Sequence, residues 1–194
     1  MQSLDPLRYS RSILKGYLAE LGRLGLVEEV QKRGSAELLP LLDSSLSAPR
    51  WLSAAPFDEI MALVATLRGR DAVRGLGHSV MSDRMVTVLE PVMSLALLMF
   101  GRDPGSLFSR AHQMASVVSQ GVEVIWAPSG HNGGTLRVRM EDPQPALSWV
   151  AWEGVFARAI ELVGYAGSVG TAKPAADGRS GAIDVSWISK VAEV

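Results

Sequence analysis

Apolar residues recur every three to four positions over the first two thirds of the chain, a spacing typical of helices with one buried face. Residues 10–26 form the first such segment, and Gly22 and Gly25 are placed to end it. Further helices are predicted at residues 55–70, about 70–83, 85–100 and 104–120. Asp103, just before Pro104, is expected to cap the last of these helices.

From residue 121 the apolar period changes from that of a helix to the alternation typical of half-buried strands. The segments "VEVIW" and "TLRVRM" alternate in this way. The loop "APSGHNGG" between them contains the Asn132–Gly133 pair typical of a β-hairpin. Residues 145–164 then predict a helix, and residues 167–189 predict a second hairpin.

Together these segments predict an α+β fold in a single domain spanning residues 1–194. Residues 1–120 are expected to be mainly helical, and residues 121–190 to form a hairpin–helix–hairpin unit. The strands suffice for one four-stranded antiparallel sheet. The helices at 104–120 and 145–164 would cover one face of it.

Composition and charge exclude several classes of function. The net charge is −1, so no basic field favours nucleic acid, and the absence of cysteine excludes disulfides and thiolate metal sites. The most apolar run, residues 85–100, contains Glu90 and Pro91 and is shorter than the ~20 residues of a membrane span. The N-terminus lacks a signal-peptide pattern, so a cytoplasmic protein without a membrane span is expected.

No motif in the chain predicts catalysis or a metal site. Ser129 and His131 lie in a strand-to-strand loop and lack the G-x-S-x-G elbow of hydrolases. The glycines at 164–170 follow a helix, whereas a dinucleotide-binding loop opens one. His78, His112 and His131 have no metal-ligand spacing. We therefore expect a protein that is not an enzyme and holds no metal.

Four stretches carry a resemblance to a known superfamily: "ILKGYLAEL", "LGHSVMSDRM", "FGRDPGSLFSRAHQM", and "GVFARAIELVGY" with "AIDVSWIS". Their order resembles the fold of haem nitric-oxide-binding domains, vinyl-reductase-like ligand-binding domains and transport-protein-particle vesicle-tethering subunits. Within that group the chain is most similar to a myxobacterial paralogous family of uncharacterised proteins. The resemblance implies a bacterial ligand-sensing or protein-interaction role and assigns no activity to particular residues.

The first functional hypothesis is a sensing or signalling module with an apolar pocket beside the 85–100 helix. The candidate lining residues are Met85, Glu90, Met93 and Leu97. Glu90 is the main polar candidate, because a carboxylate inside an apolar helix needs a partner such as an arginine. The resemblance suggests a lipid-like or other apolar small molecule as the ligand.

A haem-binding gas sensor is a less favoured alternative, with His78 as the axial ligand. Haem nitric-oxide-binding domains have a Tyr-x-Ser-x-Arg motif some thirty residues after that histidine. Here the corresponding segment "SLFSRAHQM" has Ser109 and Arg110 but no tyrosine. No cofactor is therefore expected.

The second hypothesis is a homodimeric or partner-binding scaffold, as the likeness to tethering subunits implies. Its sequence feature is the same apolar 85–100 helix, now exposed as an interface stripe. Trp149 and Trp152 lie three positions apart on one predicted helix and are candidates for an interaction surface. The same residues could equally form a core shared between that helix and the sheet.

Overall fold

The computed structural model describes residues 6–42, 49–81 and 103–189. The helices in these ranges are α1 (Arg11–Leu24), α2 (Val27–Arg33), α3 (Leu39–Leu42), α4 (Ala55–Arg68), α5 (Arg70–Val80), α6 (Pro104–Phe108), α7 (Ala111–Val118) and α8 (Ala146–Leu162). The strands are β1 (Arg8–Ser10), β2 (Trp51–Ser53), β3 (Ser119–Gln120), β4 (Val122–Gly130), β5 (Gly133–Met140), β6 (Tyr165–Val169), β7 (Lys173–Pro174) and β8 (Ser180–Ser189). The mixed α+β class predicted from the sequence is confirmed.

The larger sheet is antiparallel with the strand order β4-β5-β8-β6, and β7 pairs with β8. Strands β4 and β5 extend through most of the predicted loop, so the turn between them is only His131–Asn132. Gly130 has a φ of 153°, which favours glycine, and the pairing shifts register between Pro128 and Gly130.

A second, three-stranded sheet with the order β2-β1-β3 was not predicted. Its strands are two or three residues long and carry no alternating pattern. Tyr9 on β1 pairs with Leu52 on one side and Ser119 on the other. This sheet therefore joins the N-terminal segment to the chain that leaves α7.

The helix predicted at 104–120 is two helices, α6 and α7, separated by Ser109 and Arg110. Asp103 caps α6 as expected, because its Oδ1 accepts a hydrogen bond from the Ser106 N–H at 3.1 Å. Gly25 ends α1 in the left-handed conformation, whereas Gly22 lies inside the helix. The segment predicted as a helix at 85–100 lies outside the described residues. None of the described helices combines the length and the apolar composition needed to cross a bilayer.

Helix α8 packs against α5 on one side and against strands β6 and β8 on another. Trp149 is 2% exposed and its ring lies on the backbone of Gly181 in β8. Phe156 and Ile160 are also buried. Such a helix is apolar on most of its surface because it is enclosed by other elements.

Two glycines allow α5 and α8 to approach closely. A Cβ atom at Gly77 would overlap the carbonyl oxygen of Ala151, and a Cβ at Gly154 would overlap the carbonyl oxygen of Arg74. Both neighbours are backbone atoms, which cannot move aside as the end of a flexible side chain can. The interface therefore requires glycine at both positions.

Gly77→Ala or Gly154→Ala is expected to lower the free energy of unfolding by about 2 kcal/mol, since overpacking exceeds the helix-propensity gain of alanine. Gly22→Ala is the matched control, because no atom lies within 4 Å of its added Cβ. The control should gain about 0.5–1 kcal/mol. Urea denaturation measures all three variants, and equal effects at the three sites would contradict the close approach of α5 and α8.

Candidate functional site

An apolar cavity lies between α1, α4, α7 and α8 and is closed on one side by β4. Its empty space, counted out to the open mouth, is about 910 Å³. The wall from α8 consists of Ser148, Ala151, Trp152, Val155, Phe156 and Ala159, and the wall from α7 of Ala111, Met114, Ala115 and Val118. The remaining described lining residues are Tyr9, Ile13, Tyr17, Phe57, Met61, Val80, Met81, Phe108, Ser119 and Val124.

Helical periodicity explains how the two long walls form. The lining positions of α8 and of α7 recur at intervals of three and four, so each set lies along one face of its helix. Four of these ten side chains are alanines. Small side chains on facing helices leave space that larger apolar side chains would fill.

Aromatic rings form one part of the wall. Phe108 packs edge-on against Phe156, with ring centroids 6.0 Å apart, and Phe156 contacts Trp152 at 5.4 Å. Behind the wall, Phe108 also contacts Trp126 and Trp187 on the sheet. These contacts hold the rings in fixed positions at the cavity surface.

Hydroxyl groups and the indole N–H of Trp152 are the polar groups of the described lining side chains. The Tyr17 hydroxyl donates to the Sδ of Met61 at 3.7 Å, and both residues line the cavity. The Ser148 hydroxyl donates to Oδ1 of Asp58 at 3.0 Å. No charged side chain is among the lining residues in the described part of the chain.

Burial makes these polar groups harder to ionise, because it raises their pKa. It raises the pKa of the Tyr17 phenol, and the nearby Asp58 carboxylate adds to the rise. Burial also raises the pKa of the Tyr9 phenol, with further contributions from Tyr17 and Asp58. For Asp58 itself, burial raises the carboxyl pKa, and the hydrogen bond from Ser148 partly offsets that rise.

The four residues predicted to line a pocket, Met85, Glu90, Met93 and Leu97, lie outside the described residues. Val80 and Met81, which directly precede that segment, do line the cavity. The cavity residues that the sequence analysis missed come from α1, α4 and α7, which are far apart along the chain. The one sequence feature that could have indicated the cavity is the stripe of small and aromatic residues along one face of α8.

The three histidines lie away from the cavity. The Nε2 of His78 lies 2.9 Å from Oε2 of Glu161, and the His78 side chain is 41% exposed. Burial raises the pKa of Glu161, but hydrogen bonds from His78 and Arg158 outweigh that effect and lower it. His112 and His131 are exposed, and His131 is in the turn between β4 and β5.

The two tryptophans proposed as an interaction surface have different environments. Trp149 is buried between α8 and the sheet, so it is a core residue and presents no surface in the single chain. Trp152 is half-buried and lines the cavity. The shared-core alternative therefore applies to Trp149.

A buried carboxylate that the sequence analysis did not single out is Glu153, which is fully buried on α8. Its Oε1 accepts from Arg70 at 3.2 Å and from the Ala172 N–H at 3.0 Å, and its Oε2 accepts from Arg74. Both arginines are about half exposed, so solvent screens the pairs. Glu153 thus joins α8 to α5 and to the loop before β7.

In fold, the chain resembles solved structures of H-NOX domains, a likeness that the sequence analysis expected of haem nitric-oxide-binding domains. The Fe(II) unliganded H-NOX protein from K. algicida matches with a TM-score of 0.65 at 10% identity, over 94% of this chain and 98% of that one. A structure from work on haem distortion in the H-NOX family matches with a TM-score of 0.63 at 13% identity, over 95% of this chain and 98% of that one. A Cs H-NOX mutant matches with a TM-score of 0.60 at 10% identity, over 95% of this chain and all of that one.

No protein-family model matches the chain, and no curated protein matches it. The likeness to H-NOX structures at these identities shows the fold alone. Membership of the myxobacterial family stays a prediction.

Haem is the group named for the H-NOX family. Haem iron takes a histidine, a cysteine thiolate or a tyrosinate, or a methionine together with a histidine. The lining methionines Met61, Met81 and Met114 would therefore need a histidine beside them. The chain has no cysteine, none of its three histidines lines the cavity, and burial keeps the Tyr9 and Tyr17 phenols protonated. The described lining also has no cation to meet two propionates. The described residues therefore do not fit haem, and no cluster of metal-ligating groups occurs elsewhere among them.

Asp58→Asn is expected to stabilise the protein more at about pH 7 than at about pH 4. A carboxyl whose pKa is raised by folding binds protons more readily in the folded chain. Its stabilising contribution is therefore present at low pH and lost as the pH rises through the folded pKa. Asparagine still accepts the Ser148 hydrogen bond but buries no charge. Urea denaturation at both pH values measures the difference.

Asp71→Asn is the control, because Asp71 also lies in the first turn of a helix but is exposed. If Asp58→Asn changed stability equally at both pH values, the assigned effect of burial on Asp58 would be wrong.

Proposed function

We propose that this protein is a non-enzymatic ligand-sensing module whose cavity between α1, α4, α7 and α8 binds a small apolar molecule. The observation that carries the proposal is the cavity itself, with its continuous apolar lining and a few hydroxyl groups. Small-molecule sites are typically concave and largely apolar, with few polar groups.

The absence of paired catalytic groups in the described lining supports binding without chemistry. Its polar side chains are tyrosines and serines, and no histidine, lysine or carboxylate lies among them to act as a general base. The H-NOX-like fold supports a sensing role by analogy, since members of that family are described in terms of activation and haem.

The position of α8 offers a route from ligand to signal. One face of α8 lines the cavity, and Glu153 and Gly154 on another face contact α5. A ligand that shifts α8 would therefore change the contact with α5, because that interface tolerates little displacement.

The alternative of a scaffold that binds through an exposed apolar surface has less support from the described residues. The most exposed large apolar side chains on the described sheet are Ile125 and Ile188, at 50% and 67%. Ile125 pairs across the sheet with Arg137, and Arg137 pairs in turn with Ala182 on β8. Ile188 lies six residues after Ala182 on the same strand. Ile125 and Ile188 are thus roughly 20 Å apart along the strands and form no contiguous patch.

The proposal is tested with N-phenyl-1-naphthylamine, an uncharged dye that fluoresces in apolar surroundings. Wild-type protein should bind it saturably. Ala159→Leu places a larger side chain on the cavity wall of α8 and should weaken binding at least about tenfold. Ala115→Leu on α7 should act in the same way, so the result does not depend on one variant folding well.

Ala62→Leu is the matched control, because Ala62 is an exposed residue of α4 outside the cavity. Its affinity for the dye should equal that of the wild type. Dye binding that is absent, or that survives both cavity substitutions, would contradict the proposed function.

A further inference from the structure

We infer that the cavity selects an uncharged ligand that carries a hydrogen-bond acceptor, and that Tyr17 is the residue that recognises this acceptor. The inference rests on the proposed function of the cavity and adds the chemical class of its ligand. It is carried by three features of the site: the present partner of the Tyr17 hydroxyl, the charges around the lining, and the apolar character of the opposite walls.

The Tyr17 hydroxyl is a buried donor with a weak partner. Tyr17 is 5% exposed, and its hydroxyl donates to the Met61 thioether at 3.7 Å. Sulfur in a thioether is a poor acceptor, so this bond satisfies the phenol only in part. A ligand oxygen at normal hydrogen-bond distance would be a stronger acceptor. Both Tyr17 and Met61 line the cavity, so a ligand oxygen that replaces the sulfur as acceptor costs the donor little.

The charges around the cavity disfavour an anionic ligand. No cation occurs among the described lining residues, so a buried carboxylate or phosphate would have no partner there. Asp58 accepts a hydrogen bond from the lining residue Ser148, and its carboxylate would repel a second negative charge. An uncharged acceptor, such as a ketone or an ether, avoids both the burial of an unpaired charge and the repulsion by Asp58.

The rest of the wall favours a largely apolar body. Phe108, Phe156 and Trp152 line one part of the cavity, and the alanines of α7 and α8 line another. Apart from the indole N–H of Trp152, these groups offer dispersion contacts and no hydrogen bonds. A ligand that fits is therefore apolar along most of its length, with its acceptor directed at Tyr17.

Three naphthalenes that differ in one group test the inference by displacement of N-phenyl-1-naphthylamine. They are 2-ethylnaphthalene without an acceptor, 2-acetylnaphthalene with an uncharged acceptor, and 2-naphthoate with a charged one. Wild type should bind 2-naphthoate at least about tenfold more weakly than 2-acetylnaphthalene. Tyr17→Phe should weaken 2-acetylnaphthalene about two- to tenfold, the effect of one hydrogen bond, and leave 2-ethylnaphthalene unchanged.

Comparing the two compounds on each protein cancels their different solubility in water. Tyr165→Phe is the matched control, because Tyr165 lies on β6 outside the cavity lining. It should preserve the wild-type ratio of the two affinities.

The outcomes separate the inference from the proposed function. If Tyr17→Phe left the ratio unchanged, or if 2-naphthoate bound most tightly, the inference would be wrong while the cavity kept its binding role. If the dye and all three naphthalenes failed to bind the wild type, the proposed function and the inference would both be wrong.

Discussion

The contact between α5 and α8 is the constraint on which the other described elements depend. Backbone meets backbone there, because Gly77 faces Ala151 and Gly154 faces Arg74. Glu153, fully buried beside this contact, binds arginines of α5 and the loop before β7. A closely packed interface of this kind has few alternative arrangements, so it fixes the rotation of α8. The sheet then covers another face of α8 through Trp149.

The cavity follows from that rotation. With α8 held by α5 and the sheet, the stripe from Ser148 to Ala159 turns toward α7, α1 and α4. Alanines on α7 and α8 keep the facing helices from filling the space, and Tyr17 leaves a hydroxyl at its wall. The fold is that of H-NOX structures, but the described lining has neither the histidine nor the cations that haem would need. A shared fold thus accommodates a differently lined site.

Local features were predictable from the sequence, and features that depend on distant residues were not. Three local signals each identified an element: the alternation in β4, β5 and β8, the cap at Asp103, and the glycine that ends α1. The strands β1, β2 and β3 are too short for a pattern. The arginine partners of Glu153 lie about 80 residues away, so only the fold brings them together. The same holds for Tyr17, whose place in the cavity depends on four separate helices.

The central claim is that this H-NOX-like fold binds an uncharged apolar molecule in place of haem. The most direct measurement is native mass spectrometry of the full chain after incubation with equimolar haemin and 2-acetylnaphthalene, with an absorbance scan of the same sample. The account predicts a single added mass equal to that of the ketone and no shifted Soret band. An added mass equal to that of haem, with a Soret band displaced from that of free haemin, would contradict it.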